Sequence, residues 1–87
     1  MQKITAVILT LKEDVKLEEI AEVLQHEREV VEEWKQAGYI HDMYLRQAKN
    51  GAVIMFNETD EQKVKELIST LPLFPYFKPA EYLGLLK

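Results

Sequence analysis

The sequence predicts an α+β domain of the ferredoxin-like kind, a βαββαβ chain folded into one antiparallel sheet with two helices on one face. Three observations carry that expectation. An apolar strand pattern is followed by a long helical pattern, a hairpin signal at Asn50-Gly51 is followed by a second and shorter helical pattern, and a proline-interrupted aromatic stretch then delivers the chain to a last extended segment.

Residues 2–11 alternate and then become continuously apolar, with Ile4, Ala6 and Ile8 on one side and Thr5, Val7, Leu9 and Leu11 on the other. That is the pattern of a strand covered on both faces. Residues 12–16 are a polar connection in which Asp14 is placed to cap a helix. The helix is expected over residues 15–37 from the spacing of Leu17, Ile20, Ala21, Leu24, Val31 and Trp34, with Gly38 ending it. Residues 39–47 and 52–57 read as strands joined through Lys49, Asn50 and Gly51, the Asn-Gly pair suiting the left-handed angles of a tight turn. Thr59 and Gln62 stand at capping-box spacing before a helix whose Val64, Leu67, Ile68 and Leu71 recur at i, i+3, i+4 and i+7. Leu71-Pro72-Leu73-Phe74-Pro75-Tyr76 gathers four large side chains around two prolines. Proline lacks an amide hydrogen and biases the residue before it away from helical angles, so a stiff, extended connector is expected, one apolar enough to need a concave surface or a partner chain over it. Residues 77–86 complete the sheet, with Pro79 on an edge.

With 87 residues, 47% of them hydrophobic and 30% charged, residues 1–87 make one globular domain with a modest core. Cysteine is absent, which removes disulfide frameworks and thiolate catalysis. The net charge of -4 and the scatter of the eleven basic residues argue against nucleic acid and anionic membranes as partners. The N-terminal apolar stretch is short and broken by Thr5 and Thr10, so a cytoplasmic chain is expected. Two helices cover only one face of a sheet, yet the first and third strands are apolar on both. A homodimer packed sheet against sheet, a dimeric α+β barrel, is the expected assembly.

On a helical wheel the apolar arc of the long helix runs from Val30 and Val23 through Trp34, Ile20 and Val31 to Leu24 and Leu17, and Glu27 falls in its middle. A carboxylate so placed is costly unless paired, hydrated in a cavity or held neutral. Either it forms a buried ion pair with Arg28, Arg46 or Lys3, or it is a general base or acid with a raised pKa. His41, on the second strand, is the second catalytic candidate, with a structural role as the alternative. Arg46 has the fork to anchor an anionic ligand, or to form an ordinary salt bridge. Glu22 and His26 stand at i, i+4, but no second histidine completes a metal motif; neither a metal nor a cofactor is expected.

The proline stretch after a short helix, the Gly84-Leu85 pair and Glu27-Arg28-Glu29 in the long helix together resemble the muconolactone delta-isomerase family. The resemblance implies a dimeric α+β barrel that assembles further, typically into decamers. It implies a cofactor-free proton shift between two carbons of a small unsaturated lactone in the bacterial breakdown of aromatic compounds. Glu27 would then be the carboxylate in the ligand cavity, and Leu73, Phe74 and Tyr76 its wall or a subunit contact. Arg28, Trp34, Tyr39 and Arg46 complete the expected substrate contacts. Two alternatives stay open: a non-catalytic small-ligand or assembly domain, and another cofactor-free reaction, oxidation or cyclisation, on the same barrel.

Overall fold

The computed structural model describes residues 3–58 and 60–86 of the chain. Strand β1 (Lys3–Thr10) leads through a 3-10 turn (Leu17–Glu19) to helix α1 (Ala21–Ala37), then to the hairpin of β2 (Ile40–Leu45) and β3 (Gly51–Phe56). Helix α2 (Glu61–Ser69), a second 3-10 turn (Phe74–Tyr76) and β4 (Glu81–Leu86) follow. The sheet order is β2-β3-β1-β4, and every neighbouring pair is antiparallel. This is the ferredoxin-like α+β fold that the element order predicts.

Several boundaries differ from those the periodicity predicts. The long helix begins at Ala21 rather than residue 15, and Asp14 caps nothing: the N-cap position is Ile20, at φ -112 and ψ 13, with no side-chain cap. Ile20 is wholly buried, and the break in the helix at that residue turns it into the core while leaving Leu17 half-exposed. The C-terminal end is as expected, because Gly38 at φ 81 closes α1 in the left-handed conformation and Tyr39 N–H donates to Trp34 O over 2.9 Å. The capping box is outside the described residues at its Thr59 end; Asp60 is the N-cap of α2, accepting from Gln62 N–H at 3.0 Å.

The connector at residues 71–76 is not extended. Phe74 N–H donates to Leu71 O, Tyr76 N–H to Leu73 O and Phe77 N–H to Phe74 O, at 3.0, 2.8 and 3.2 Å. Proline is excluded from helix interiors, not from first turns, where the amide it lacks has no partner to miss. Pro75 occupies such a position.

The hairpin also places its strain differently. Gly51 is the first residue of β3, and the left-handed angle falls on Lys49, at φ 58. Gly51 is needed for another reason: a Cβ there would overlap the carbonyl oxygen of Leu9 on β1. The absent side chain lets the two central strands approach.

Register assigns the faces. Val7, Leu9, Ile54 and Phe56 face the helices and meet Ile20, Val31, Trp34, Val64, Ile68, Leu71, Leu73 and Phe77 in one core. Trp34 packs on Phe56 with ring centroids 5.6 Å apart. On the other face Ile4, Ile8, Val53 and Met55 are half-buried and Leu83 and Leu85 exposed, with no helix over them.

Gly51→Ala is expected to lower stability by about 1–3 kcal/mol, because backbone rather than a flexible side chain must give way. Gly84→Ala, where a Cβ meets nothing within 4 Å, is the matched control and should stay within about 0.5 kcal/mol of wild type. Urea unfolding midpoints of the two variants check both values.

Candidate functional site

Between the helix face of the sheet and the N-terminal half of α1 lies a cavity of ≈ 380 Å³. Its floor is Leu9, Met43, Ala52 and Ile54 from the sheet; α1 contributes Leu24, Glu27, Arg28 and Val31; Leu17, Leu73 and Phe77 close the sides. Each wall has a local cause. The turn of the chain at Ile20 carries Leu17 clear of the core, and the proline turn carries Leu73 under α1. Leu11 N–H donates to Asn50 O at 2.7 Å and Lys12 N–H to Tyr76 O at 2.9 Å, so the end of β1 joins the hairpin wall to the proline wall.

Glu27 is the acid in this lining. Its Oε1 accepts from Leu73 N–H at 3.2 Å. Among the described residues it has no ion pair, so neither Arg28 nor Arg46 neutralises it. Burial among aliphatic side chains raises its pKa from the ordinary 4.5 to about 7, and the Leu73 amide, which favours the charged form, offsets only part of that rise. The second oxygen, Oε2, has no hydrogen bond among the described residues. A half-buried carboxyl group that exchanges its proton near neutrality, with one oxygen anchored and one free, can both remove and return a proton.

Of the other expected contacts, Arg28, Arg46 and Leu73 line the cavity with Glu27. Arg46 Nη1 donates to Thr10 Oγ1 at 2.6 Å, so its guanidinium is partly engaged. Trp34, Tyr39, His41, Phe74 and Tyr76 lie outside the lining. Trp34 is core beneath Phe56. Tyr39 follows the C-cap of α1, and His41 is exposed in a bulge where the β2–β3 register shifts between Ile40 and Asp42. Phe74 is 45% exposed on the outer side of the proline turn, and Tyr76 is half-buried against the core. Sequence reasoning missed Lys49, Met43 and Leu45 in the lining. The bulge decides which alternate residues of β2 face α1, and nothing in the alternation announces a bulge. No group of three or more His, Cys, Asp or Glu among the described residues is arranged to hold a metal.

The family model for muconolactone delta-isomerase matches residues 4–81. The chain belongs to that family. Its fold is shared with a crystal structure of muconolactone isomerase, at 20% identity and TM-score 0.77 over 97% of this chain and 88% of that one. It is also shared with the 5-chloro-2-hydroxyhydroquinone dehydrochlorinase of Burkholderia phenoliruptrix AC1100, in complex with 2,5-dihydroxybenzoquinone, at 10% identity and TM-score 0.73 over 92% and 90% of the two chains. A dimeric protein of unknown function and ferredoxin-like fold from Bacteroides fragilis NCTC 9343 is similar at 14% identity and TM-score 0.58, covering 98% and 96%. No curated protein matches the sequence. Among the described residues, no helix of this muconolactone delta-isomerase family member is long and apolar enough to cross a membrane.

The raised pKa of Glu27 has a thermodynamic consequence. Between pH 4.5 and about 7 the folded chain holds a proton that the unfolded chain has released. Stability therefore falls as pH rises through that window and levels off above it. Glu27→Gln keeps an acceptor for Leu73 N–H and removes the titration. The variant should gain on wild type between about pH 4.5 and about pH 7.5, measured as the difference in urea midpoints, whereas an unchanged difference would place the carboxyl in water.

Proposed function

We propose that the protein is a cofactor-independent proton-shift isomerase acting on a small unsaturated lactone that carries a carboxylate. The observation that carries this reading is Glu27, the one acid in the cavity's described lining, with a pKa of about 7 and one oxygen tied to Leu73 N–H. Its ionised carboxylate takes a proton from a carbon beside the conjugated system, and the electron pair left behind delocalises towards the lactone carbonyl. The protonated carboxyl then returns the proton to another carbon of the same system. Atoms and charge balance without a further reactant. An aliphatic lining slows exchange of the carried proton with water, and anchoring Oε1 limits the motion of the group between its two positions.

Family membership supports this reaction over other proton chemistry, and so does the charge of the lining, where Arg28, Arg46 and Lys49 suit an anionic substrate. The dehydrochlorinase that shares the fold acts on a chlorinated hydroxyquinol, and loss of hydrogen chloride from such a ring likewise needs a group that takes up a proton, there from a hydroxyl rather than from carbon.

A homodimer is part of the same proposal. The sheet face with Ile4, Ile8, Val53, Met55, Leu83 and Leu85 has no cover among the described residues, and a second copy laid against it would close a barrel. Higher assembly, up to a decamer, rests on the family resemblance, as does a place in aromatic-compound breakdown, and a cytoplasmic setting belongs to the same proposal. Light scattering at micromolar concentration should give at least twice the 10.2 kDa chain mass, and a 10.2 kDa species would count against the barrel.

Glu27→Gln should lower isomerisation of an unsaturated carboxylated lactone by at least about a hundredfold with the assembly intact. In wild type kcat should rise with pH through about 7 as Glu27 ionises. Equal turnover by the two proteins would remove Glu27 from the mechanism. Failure of wild type on a panel of such lactones would return the cavity to a binding role.

A further inference from the structure

The charged lining of the cavity is unbalanced. Three cations, Arg28, Arg46 and Lys49, share it with one carboxyl group, in a chain whose net charge is -4. Elsewhere, lysines near acids are paired: Lys65 with Glu61 at 3.7 Å and Lys78 with Glu13 at 3.0 Å. Arg46 donates to Thr10. Arg28 and Lys49 have neither an ion pair nor a side-chain hydrogen bond among the described residues, although both line the cavity.

We propose that Arg28 and Lys49 form an anion anchor at the mouth of this cavity, which holds the carboxylate of the substrate and turns its uncharged ring inward to Glu27. The inference rests on the reading of the cavity as the substrate site and adds how the substrate is oriented. Both cations are exposed at the rim while the deeper lining, Leu9, Val31, Ile54 and Leu73, is buried and aliphatic. A carboxylate is stable at the rim, where it keeps water and gains two cations, and is costly in the depth, where it would lose its solvent beside a second carboxyl group. The site therefore selects a molecule charged at one end only. A ring with a second carboxylate at its far end is excluded.

The backbone fixes one half of the anchor. Lys49 sits at φ 58, a left-handed angle that a non-glycine residue adopts at a cost. It is held there by Lys49 N–H donating to Arg46 O at 2.9 Å, while the next residue, Asn50, accepts from Leu11 N–H through its carbonyl at 2.7 Å. Arg28 is fixed by following Glu27 on α1, so the anchor and the proton carrier are placed by the same turn of helix.

The test uses a saturated lactone bearing one carboxylate, which cannot isomerise, and its methyl ester. Each is titrated into the intact protein by NMR. Wild type should bind the acid at least about tenfold more tightly than the ester, with the preference shrinking at high salt. Arg28→Met and Lys49→Met should each reduce that preference, and the double variant should abolish it, read as the ratio of acid to ester affinity within each protein. Lys49→Gly removes the charge where glycine suits the left-handed angle, so it serves if Lys49→Met misfolds. Equal affinity of wild type for acid and ester, or a preference that survives both substitutions, overturns the anchor. Glu27→Gln separates the two readings. If it abolishes turnover while acid and ester bind alike, the isomerase reading stands and the anchor falls. If wild type turns over no lactone yet its acid preference depends on Arg28 and Lys49, the anchor stands and the isomerase reading falls.

Discussion

A carboxyl group carried under a sheet by the apolar stripe of a helix has to be met by a donor, and in this protein the donor is a backbone amide. Leu73 N–H reaches Glu27 Oε1 at 3.2 Å. The contact requires the chain leaving α2 to turn sharply instead of running straight to β4, and the consecutive hydrogen bonds of the proline turn supply that course. An arginine at the same place would pair with Glu27 and lower its pKa; the neutral amide tethers the group and leaves it able to carry a proton near neutrality.

The hairpin at the other side of the cavity obeys a different constraint. Gly51 lets β3 approach β1 at Leu9, and that approach draws the loop over the end of the sheet. Lys49, two residues before Gly51, takes the left-handed angle within the same loop, its N–H bonded to Arg46 O at 2.9 Å. The site is assembled from packing demands made elsewhere, and its geometry is as rigid as the sheet on which it rests.

Much of this was legible in the sequence, for reasons particular residues show. Glu27 could be found because its angle on the wheel needs nothing beyond the helical period, and Gly38 because a helix that stops must reverse its backbone. The pairing of β2 with β3 was legible in the Asn50-Gly51 turn signal, whereas the place of β1 between β3 and β4 came only with the fold class. Trp34 was placed on the right face of α1, but a helical stripe does not say which of its ends borders an open space, and Trp34 lies at the filled end against Phe56. The proline turn was misread as extended because the penalty for proline depends on its position within a turn. Lys49 was placed in the hairpin turn, but nothing in the sequence pointed to its left-handed angle or to its place in the cavity lining, since lysine is an ordinary surface residue.

The two hydrogen bonds made by the end of β1, to the hairpin loop and to the proline turn, couple segments that are remote along the chain. Lys12 bonds to Tyr76, Lys78 to Thr10, and Leu11 bridges Phe77. Loops of this span must be closed, at an entropic cost, before the contacts they enclose return anything. The hairpin of β2 and β3 and the helix α1 rest on local contacts, whereas the pocket takes its lining from β1, α1, the hairpin and the proline turn together. Its walls come into being only when the two halves of the domain dock. The lining ends at Leu73 and Phe77, so a nascent chain that had not yet released the proline turn would lack one wall of the cavity, and a ligand that binds the folded chain alone stabilises that state by mass action.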